Sequence, residues 1–524
     1  MISMKTKLFL LFLFVCLWGQ AQEIITISNP DTWTYSQLSA YVGETVTFET
    51  PLYVTNNYSN SYYEVSPRRI FSPTNQAYPM SSEYNALIGA NSAGVVRLYG
   101  VFGYHRMGER IVRLTAKVTS SNSLTAVGNV QFVGNTREEL LKGHEDIGNH
   151  NVKVCALNME YYLVDNLDTG YGADDESQLA RQHAKLLNAL VAVDADIYGL
   201  LEIEQGQAAL SKMAAALTTR LGHTYTYIND GTTSSGSYTK VGYIYRSDRF
   251  NTYGQLQHID NPSPQKRKKA AAFVLKENGE KFIFSLNHFK AKTGSATGDN
   301  ANQGDGQGVY NATRVKEAQA VVDEAEMWQK YFGDEDVLVM GDLNAYAKED
   351  PIKVFVDAGY VDLHRAFHAD SSYSYSYKGA VGYLDHALAN PALYKQVTGM
   401  TAYHINSDER DAYTYDKSSD NTMFRSSDHD PIIVGLSLGN NANTGIENFW
   451  NNPPVSCLVT EQLPLIIQRA QGGRLRIYSL MGVQVADEEI SSDYYQAQTK
   501  LPSGIYIANV YGEAKVAQLK IIVK

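Results

Sequence analysis

Apolar positions along the chain fall into three successive regimes. Over residues 22–150 they alternate. Thr45-Val46-Thr47-Phe48 and the run from Ile111 to Val118 place an apolar side chain at every second position, the period of a half-buried strand. Clusters of Gly, Pro, Asn and Ser separate such runs, which predicts a β-rich accessory domain, a small barrel or sandwich. Over residues 151–438 the pattern changes. Short apolar runs at Val152–Leu157, Asp196–Leu201, Val241–Tyr245, Ala272–Leu275, Phe282–Leu286, Val337–Met340, Leu384–Ala389 and Pro431–Leu436 predict buried strands. Glu176–Val193 and Thr313–Phe332 predict amphipathic helices, the first with Leu179, Leu186, Leu187 and Leu190 on one face. Strands with interspersed helices predict a layered α/β domain. A polar stretch opens a linker over 439–457, and alternating runs return over 458–524.

Composition adds a destination. Lys5 and Lys7 precede the apolar run Leu8 to Trp18, and Gly19-Gln20-Ala21 supplies small residues before a cut. This is the layout of a secretory signal peptide over residues 1–21, so the protein is expected to be secreted or displayed at the cell surface. No later segment is long and apolar enough to span a bilayer. Removal of the leader leaves Cys155 and Cys457, in different predicted domains, so no disulfide framework is expected. The net charge of -11 argues against a protein that coats nucleic-acid phosphates, yet carboxylates that hold a cation also add negative charge. The 37 tyrosines against 17 phenylalanines carry no functional reading by themselves.

Chemistry concentrates at strand ends of the middle domain, where layered α/β folds build their sites. Asn158 ends the first strand and offers an amide to a metal or phosphate oxygen; a strand-ending turn is the commoner explanation. Glu202 follows Ile197–Leu201 as a hard-cation ligand or a solvated acid. His288, in Asn287-His288-Phe289-Lys290, is a hydrogen-bond donor beside two lysines, or a structural histidine. In Gly341-Asp342-Leu343-Asn344 the acid and the amide two residues on face the same way and converge, unless they only close an Asx turn. In Ser427-Asp428-His429-Asp430, Asp428 can face a metal and His429 a nucleophile, with Asp385 fixing the histidine's tautomer. Asp430 and His386 read as structural.

In this order the set resembles the endonuclease/exonuclease/phosphatase superfamily, the group that includes pancreatic-type deoxyribonuclease. It is most similar to secreted bacterial extracellular nucleases, through Gly304-Asp305-Gly306-Gln307-Gly308, Tyr310-Asn311-Ala312-Thr313-Arg314 and the Asn-His-Phe-Lys stretch. The relatives carry Cys and Trp before the asparagine where this chain has Val309 and Tyr310, so the loop lacks their disulfide. The tail, with Leu501-Pro502-Ser503-Gly504-Ile505-Tyr506 and a Lys-Ile-Ile-Val-Lys ending, resembles a type IX secretion sorting domain, which implies delivery through that machinery.

The resemblance implies a four-layer α/β sandwich, flanked by the N-terminal small β domain and a C-terminal β-sandwich-like domain. It implies a monomeric, metal-dependent phosphodiesterase acting on nucleic acid. Mg²⁺ is the expected cofactor, with Mn²⁺ or Ca²⁺ as substitutes, held by Glu202, Asn158 and Asp428. His429, paired with Asp385, would be the general base or the group that stabilises the phosphorane. Asp342 and Asn344 would position water, His288 would bond a phosphate oxygen, and Asn311 and Arg314 would hold the flanking phosphate. The run Lys266-Arg267-Lys268-Lys269 is a DNA contact or a solvated loop, with Arg267 the first to test. A phosphatase or lipid phosphodiesterase of the same superfamily, and a noncatalytic surface binding protein, remain as alternatives.

Overall fold

The structure, a computed structural model, describes residues 23–439 apart from 58–60, 143–145, 237 and 263–266, and in the tail 456–459, 465–468, 473–479, 484–491, 494–511 and 516–523. The signal-peptide segment, nearly all of the linker and Lys266 lie outside the described residues. The chain divides into two compact units, Met1–Gly439 and Asn440–Lys524.

In the first unit the elements from residue 151 onward position the site. They are strands β1 (Val152–Tyr162), β2 (Ile197–Glu204), β3 (Tyr225–Tyr227), β4 (Thr239–Arg246), β5 (Phe250–His258), β6 (Lys268–Leu275), β7 (Lys281–Asn287), β8 (Val337–Asp342), β9 (Val361–Asp362), β10 (Asp385–Ala389), β11 (Val397–Ala402) and β12 (Ile432–Leu436). The main helices are α1 (Glu176–Val193), α2 (Ala208–Leu221), α3 (Asn311–Phe332) and α4 (Asp350–Asp357). Two six-stranded mixed sheets result, ordered β3-β4-β2-β1-β12-β11 and β5-β6-β7-β8-β10-β9.

Three apolar cores show how the layers stack. Val154, Ala156, Ile197 and Leu201 of the first sheet pack with Phe284, Leu286, Leu338 and Met340 of the second, closing the two sheets on each other. The other face of the first sheet packs Cys155, Leu157 and Leu200 under Leu179, Leu186 and Leu190 of α1 and Met213 and Leu217 of α2. The other face of the second packs Ile283, Val337 and Val339 under Val321, Ala325 and Trp328 of α3. Both sheets are therefore covered on both faces, which explains continuous rather than alternating apolar runs. Helix α1 starts where Asp175 accepts the N–H of Gln178 at 2.8 Å and stops at Asp194, whose φ is 48°.

Residues 23–133 form a nine-stranded sheet with its own core, including Val46, Phe48, Val54, Val65 and Leu98. The same compact unit holds this sheet and the two six-stranded sheets. The second unit, taken alone, is a five-stranded sheet and a two-stranded ribbon around Leu475, Ile477, Ala508 and Ile521. Among the described residues no helix is long and apolar enough to cross a membrane. Cys155 is buried.

Candidate active site

The expected residues stand at adjoining strand ends. Asn158 lies on β1, Glu202 on β2, His288 just past β7, Asp342 at the end of β8, Asp385 at the start of β10, and Asp428 and His429 just before β12. Parallel pairing of β1 with β2 and of β7 with β8 brings these ends to one edge. Irregularities then aim the side chains. The register slips between Asn158 and Tyr162 on β1 and between Leu200 and Ile203 on β2. Glu202 sits inside the second slip at φ 53°, a left-handed conformation uncommon for a residue with a side chain. Gly341 has φ 129°, and a Cβ there would lie 2.0 Å from the Asn287 carbonyl oxygen. Only glycine lets β8 pass that close to β7 and deliver Asp342.

The side chains meet at the cleft between the sheets. Asn158 Nδ2 donates to Asp342 Oδ2 at 3.3 Å. His288 Nε2 lies 3.6 Å from Glu202 Oε1 and 3.7 Å from Asp342 Oδ2. His429 Nε2 lies 3.9 Å from both Asp342 Oδ2 and Asp428 Oδ2. Behind it, His429 Nδ1 and Asp385 Oδ2 are 2.7 Å apart, and Ser374 Oγ donates to that same oxygen at 2.7 Å. The N–H of Asn344 donates to Asp342 Oδ1 at 2.8 Å, the Asx turn the sequence allowed, and its Nδ2 also lies 3.3 Å from Asp342 Oδ2. Asn158, Glu202, His288, Asp342, Asn344, Asp385, Asp428 and His429 are thus brought together.

The charge balance is strained. Burial pushes the Glu202 carboxyl up to about 7, and Asp428 adds to the rise. Burial also raises Asp342 to about 7; His429 opposes the shift while Asp385 and Glu202 add to it. Burial by itself would lower His429, but Asp385, Asp428 and Asp342 together hold it well above its ordinary value. Burial drives His288 well below its ordinary value, aided by Arg267, so it is neutral. Crowded carboxyls that resist ionisation are what a divalent cation would relieve.

The donor set fits such an ion. Glu202, Asp342, Asp428 and the Asn158 amide supply hard oxygens, the donors that hard divalent cations take. The tightest acid–imidazole group among the described residues is instead Asp342, Asp385 and His429, whose ligand atoms lie within 4.8 Å of one another. It shares no member with the expected ligands Glu202, Asn158 and Asp428. An ion at its centre would have to break the 2.7 Å Asp385–His429 bond. The oxygens around Glu202 and Asp342 are therefore the better seat, with Asp342 joining the expected ligands.

Two expectations need correction. Arg314 is fully buried, and its guanidinium donates to the carbonyls of Lys290 (3.2 Å), Val309 (2.8 Å) and Gln307 (2.7 Å). It braces the loop before α3, and its burial keeps it away from a substrate phosphate. Asn311 donates from Nδ2 to Asp350 Oδ2 at 3.1 Å and belongs to the same brace. The basic run is neither a solvated loop nor a DNA contact as a whole. Lys268 and Lys269 are buried, the first 3.7 Å from Glu317 and the second bonded to Asp230. Arg267 adjoins the site through its carbonyl, which accepts the His288 N–H at 2.8 Å, and its charge acts on Glu202 and His288.

Other groups at the site went unread. Glu160, two residues past Asn158, has a buried Oε2 with no hydrogen-bond partner. Burial raises its carboxyl to about 8, with Asp428 adding to the shift. The i, i+2 logic applied to Asp342 and Asn344 would have found it. Tyr375 lies over His429 with centroids 4.7 Å apart, and Asn406 Nδ2 donates to the His429 carbonyl at 2.6 Å. Neither had a sequence signal, since Tyr375 opens a short strand and Asn406 lies in a loop, both distant in sequence from His429.

Comparison with known proteins gives the family. The Endonuclease/Exonuclease/phosphatase family model matches residues 151–429. Among solved structures, the chain is similar to Bacteroides thetaiotaomicron VPI-5482 mannosyl-6-phosphatase Bt3783, at 18% identity over 55% of this chain and 100% of that one, with a TM-score of 0.38. It is similar to the human Nocturnin catalytic domain with bound sulfate anion, at 16% identity over 55% and 94%, TM-score 0.37. It is also similar to truncated Caenorhabditis elegans TDP2, at 17% identity over 56% and 100%, TM-score 0.36. No curated protein matches the chain.

Proposed function

The chain belongs to the endonuclease/exonuclease/phosphatase family, whose members are metal-dependent phosphoester hydrolases, and from that premise we propose that it is a secreted nuclease cleaving DNA or RNA. The observation that carries the reading is the convergence of Glu202, Asp342, His288 and the Asp385–His429 pair on one cleft.

Phosphodiesters resist hydrolysis because their charge repels nucleophiles, so a catalyst must neutralise that charge and direct water in line. Glu202, Asp342, Asp428 and Asn158 are the groups that would hold a divalent cation, Mg²⁺ first, with Mn²⁺ or Ca²⁺ as substitutes. When bound, it supplies Lewis-acid neutralisation of the phosphate oxygens. The protein's own groups do the rest. Asp385 accepts a hydrogen bond from the Nδ1–H of His429, which turns Nε2 toward the cleft. Held as an imidazolium by the surrounding carboxylates, His429 donates Nε2–H to charge developing on phosphorus-bound oxygen. Neutral His288 donates to a second oxygen. Asp342, fixed by the Asn344 N–H, is the acceptor that orients water.

The test is direct. Purified full chain is assayed on plasmid DNA, single-stranded DNA and RNA, beside sphingomyelin and mononucleotides. Nicking or degradation of polynucleotide that stops in EDTA and returns with Mg²⁺ supports a nuclease. Turnover of lipid or monoester alone transfers the site to the corresponding alternative. A protein inert on all substrates with any of the three metals overturns the catalytic reading. Sorting through the tail is tested separately, by following the chain's location when residues 458–524 are removed.

A further inference from the structure

Two tyrosine rings stand beside the carboxylates, outside the machinery above. β1 ends in two consecutive left-handed residues, Glu160 at φ 49° and Tyr161 at φ 54°. They form the bulge of the register slip, after which Tyr162 pairs again with Ile203, and they tie the chain to the site, since the Tyr161 N–H donates to Glu202 Oε2 at 3.2 Å. The Tyr171 ring stacks on the Tyr161 ring with centroids 4.6 Å apart and planes 22° apart. Tyr171 is 53% exposed, so the stack presents an open aromatic surface.

A tight turn holds it there. The Asp168 N–H donates to the Ala173 carbonyl at 3.3 Å, and Thr169 Oγ1 donates to the Tyr171 carbonyl at 3.1 Å. Gly172 has φ 69°, and a Cβ at that residue would lie 2.5 Å from the Tyr161 carbonyl oxygen. A side chain there would prise the two rings apart. Arg267 adjoins the same site: its carbonyl accepts the His288 N–H at 2.8 Å. Its charge is felt by Tyr161, Glu202 and His288 alike.

A surface pair of tyrosines often does no more than cover a loop. This pair differs in being tied by backbone to a carboxylate of the phosphoester site and in sharing its neighbourhood with an unburied cation. A flat, open aromatic surface next to a cation and a phosphate site is complementary to a base carried on a phosphodiester. We propose that the Tyr161–Tyr171 stack receives the nucleobase beside the scissile linkage, with Arg267 on the adjoining phosphate. The preferred substrate is then single-stranded nucleic acid or a frayed strand end, whose bases are free to leave their neighbours. A paired base would first have to unstack. The inference rests on the nuclease reading of the same site.

The experiment separates the two. The full chain with Mg²⁺ is given an end-labelled oligothymidylate and the same strand with one base replaced by a tetrahydrofuran gap. The linkage beside a base is expected to be cut about tenfold faster, by kcat/KM, than the linkage beside the gap. Tyr171→Ala should abolish that ratio, and Tyr171→Phe and Tyr171→Trp should keep it. Arg267→Ala should raise KM on both strands equally. Equal cutting beside base and gap by the unaltered protein, or an undiminished ratio in Tyr171→Ala, overturns the proposal. If no strand is cut at all, the nuclease reading fails, and calorimetric titration with thymidine monophosphate against deoxyribose 5-phosphate decides the subsite. Selective binding of the nucleotide, lost in Tyr171→Ala, supports it. Equal binding, or binding of neither, overturns it.

Discussion

His429 gathers three carboxylates around one imidazole, with Asp385 at 2.7 Å and Asp342 and Asp428 at 3.9 Å. Removing the ring deletes the donor that faces the cleft. We expect His429→Ala to lower kcat by about a thousandfold while circular dichroism still reports a folded chain. Asp385→Asn should cost about a hundredfold or more, because the amide no longer imposes the Nδ1–H tautomer. Near-normal turnover in either variant would remove the pair from the chemistry. Glu202 gives the pH prediction. Its carboxyl is raised to about 7, so at lower pH a proton occupies the position a cation needs. Apparent Mg²⁺ affinity should therefore climb between about pH 6 and 8 and level off above, the direction expected when metal displaces a proton. A flat profile by calorimetry would mean the carboxyl ionises normally. Residue identity made most of this legible, since acids and histidines at strand ends are conspicuous. Arg314 misled because a cation in the right stretch of sequence says nothing of the three carbonyls that enclose it.

Among the elements, β8 depends most on a single position. A methyl group on Gly341 would collide with β7 backbone, not with a side chain that can yield. Gly341→Ala is expected to cost about 2–4 kcal/mol, seen in chemical denaturation, and to lower kcat in the fraction that folds, because Asp342 is displaced. A variant of full stability and activity would show that the two strands separate at little cost. Periodicity located the buried elements well. The helix expected over Glu176–Val193 has those bounds, and Thr313–Phe332 is extended only to Asn311. It failed at β5, an edge strand exposed along most of its length, which carries no apolar alternation to read. It also began β6 late, at Ala272 instead of Lys268. The two lysines look solvated in sequence, and their partners Glu317 and Asp230 are brought to them only by the fold.

Across the whole first unit, the N-terminal sheet and its extensions hold a loop that supports His429. Arg69 and Asn135 reach Asp408 at 2.9 and 2.8 Å, while Arg106 and Arg137 reach Glu409 at 2.7 and 2.6 Å. Three residues before Glu409, Asn406 grips the His429 carbonyl and accepts the Ser426 N–H. Asp408→Ala would leave the Arg69 charge uncompensated, at a cost of about 3–5 kcal/mol. We expect a lowered Tm and a fall in kcat larger than any change in KM, and unchanged kcat in the folded protein would confine this cluster to stability. Nothing in the sequence announced the clasp, because arginines scattered over a β-rich region read as surface and their partners lie hundreds of residues away. Its consequence concerns how the molecule can be divided. The family match begins at residue 151, which invites a cut there. Such a fragment would carry two buried anions stripped of their counter-charges, next to the strand that presents the histidine. Turnover would then report that both ends of this unit have met, and a half-assembled chain would be silent.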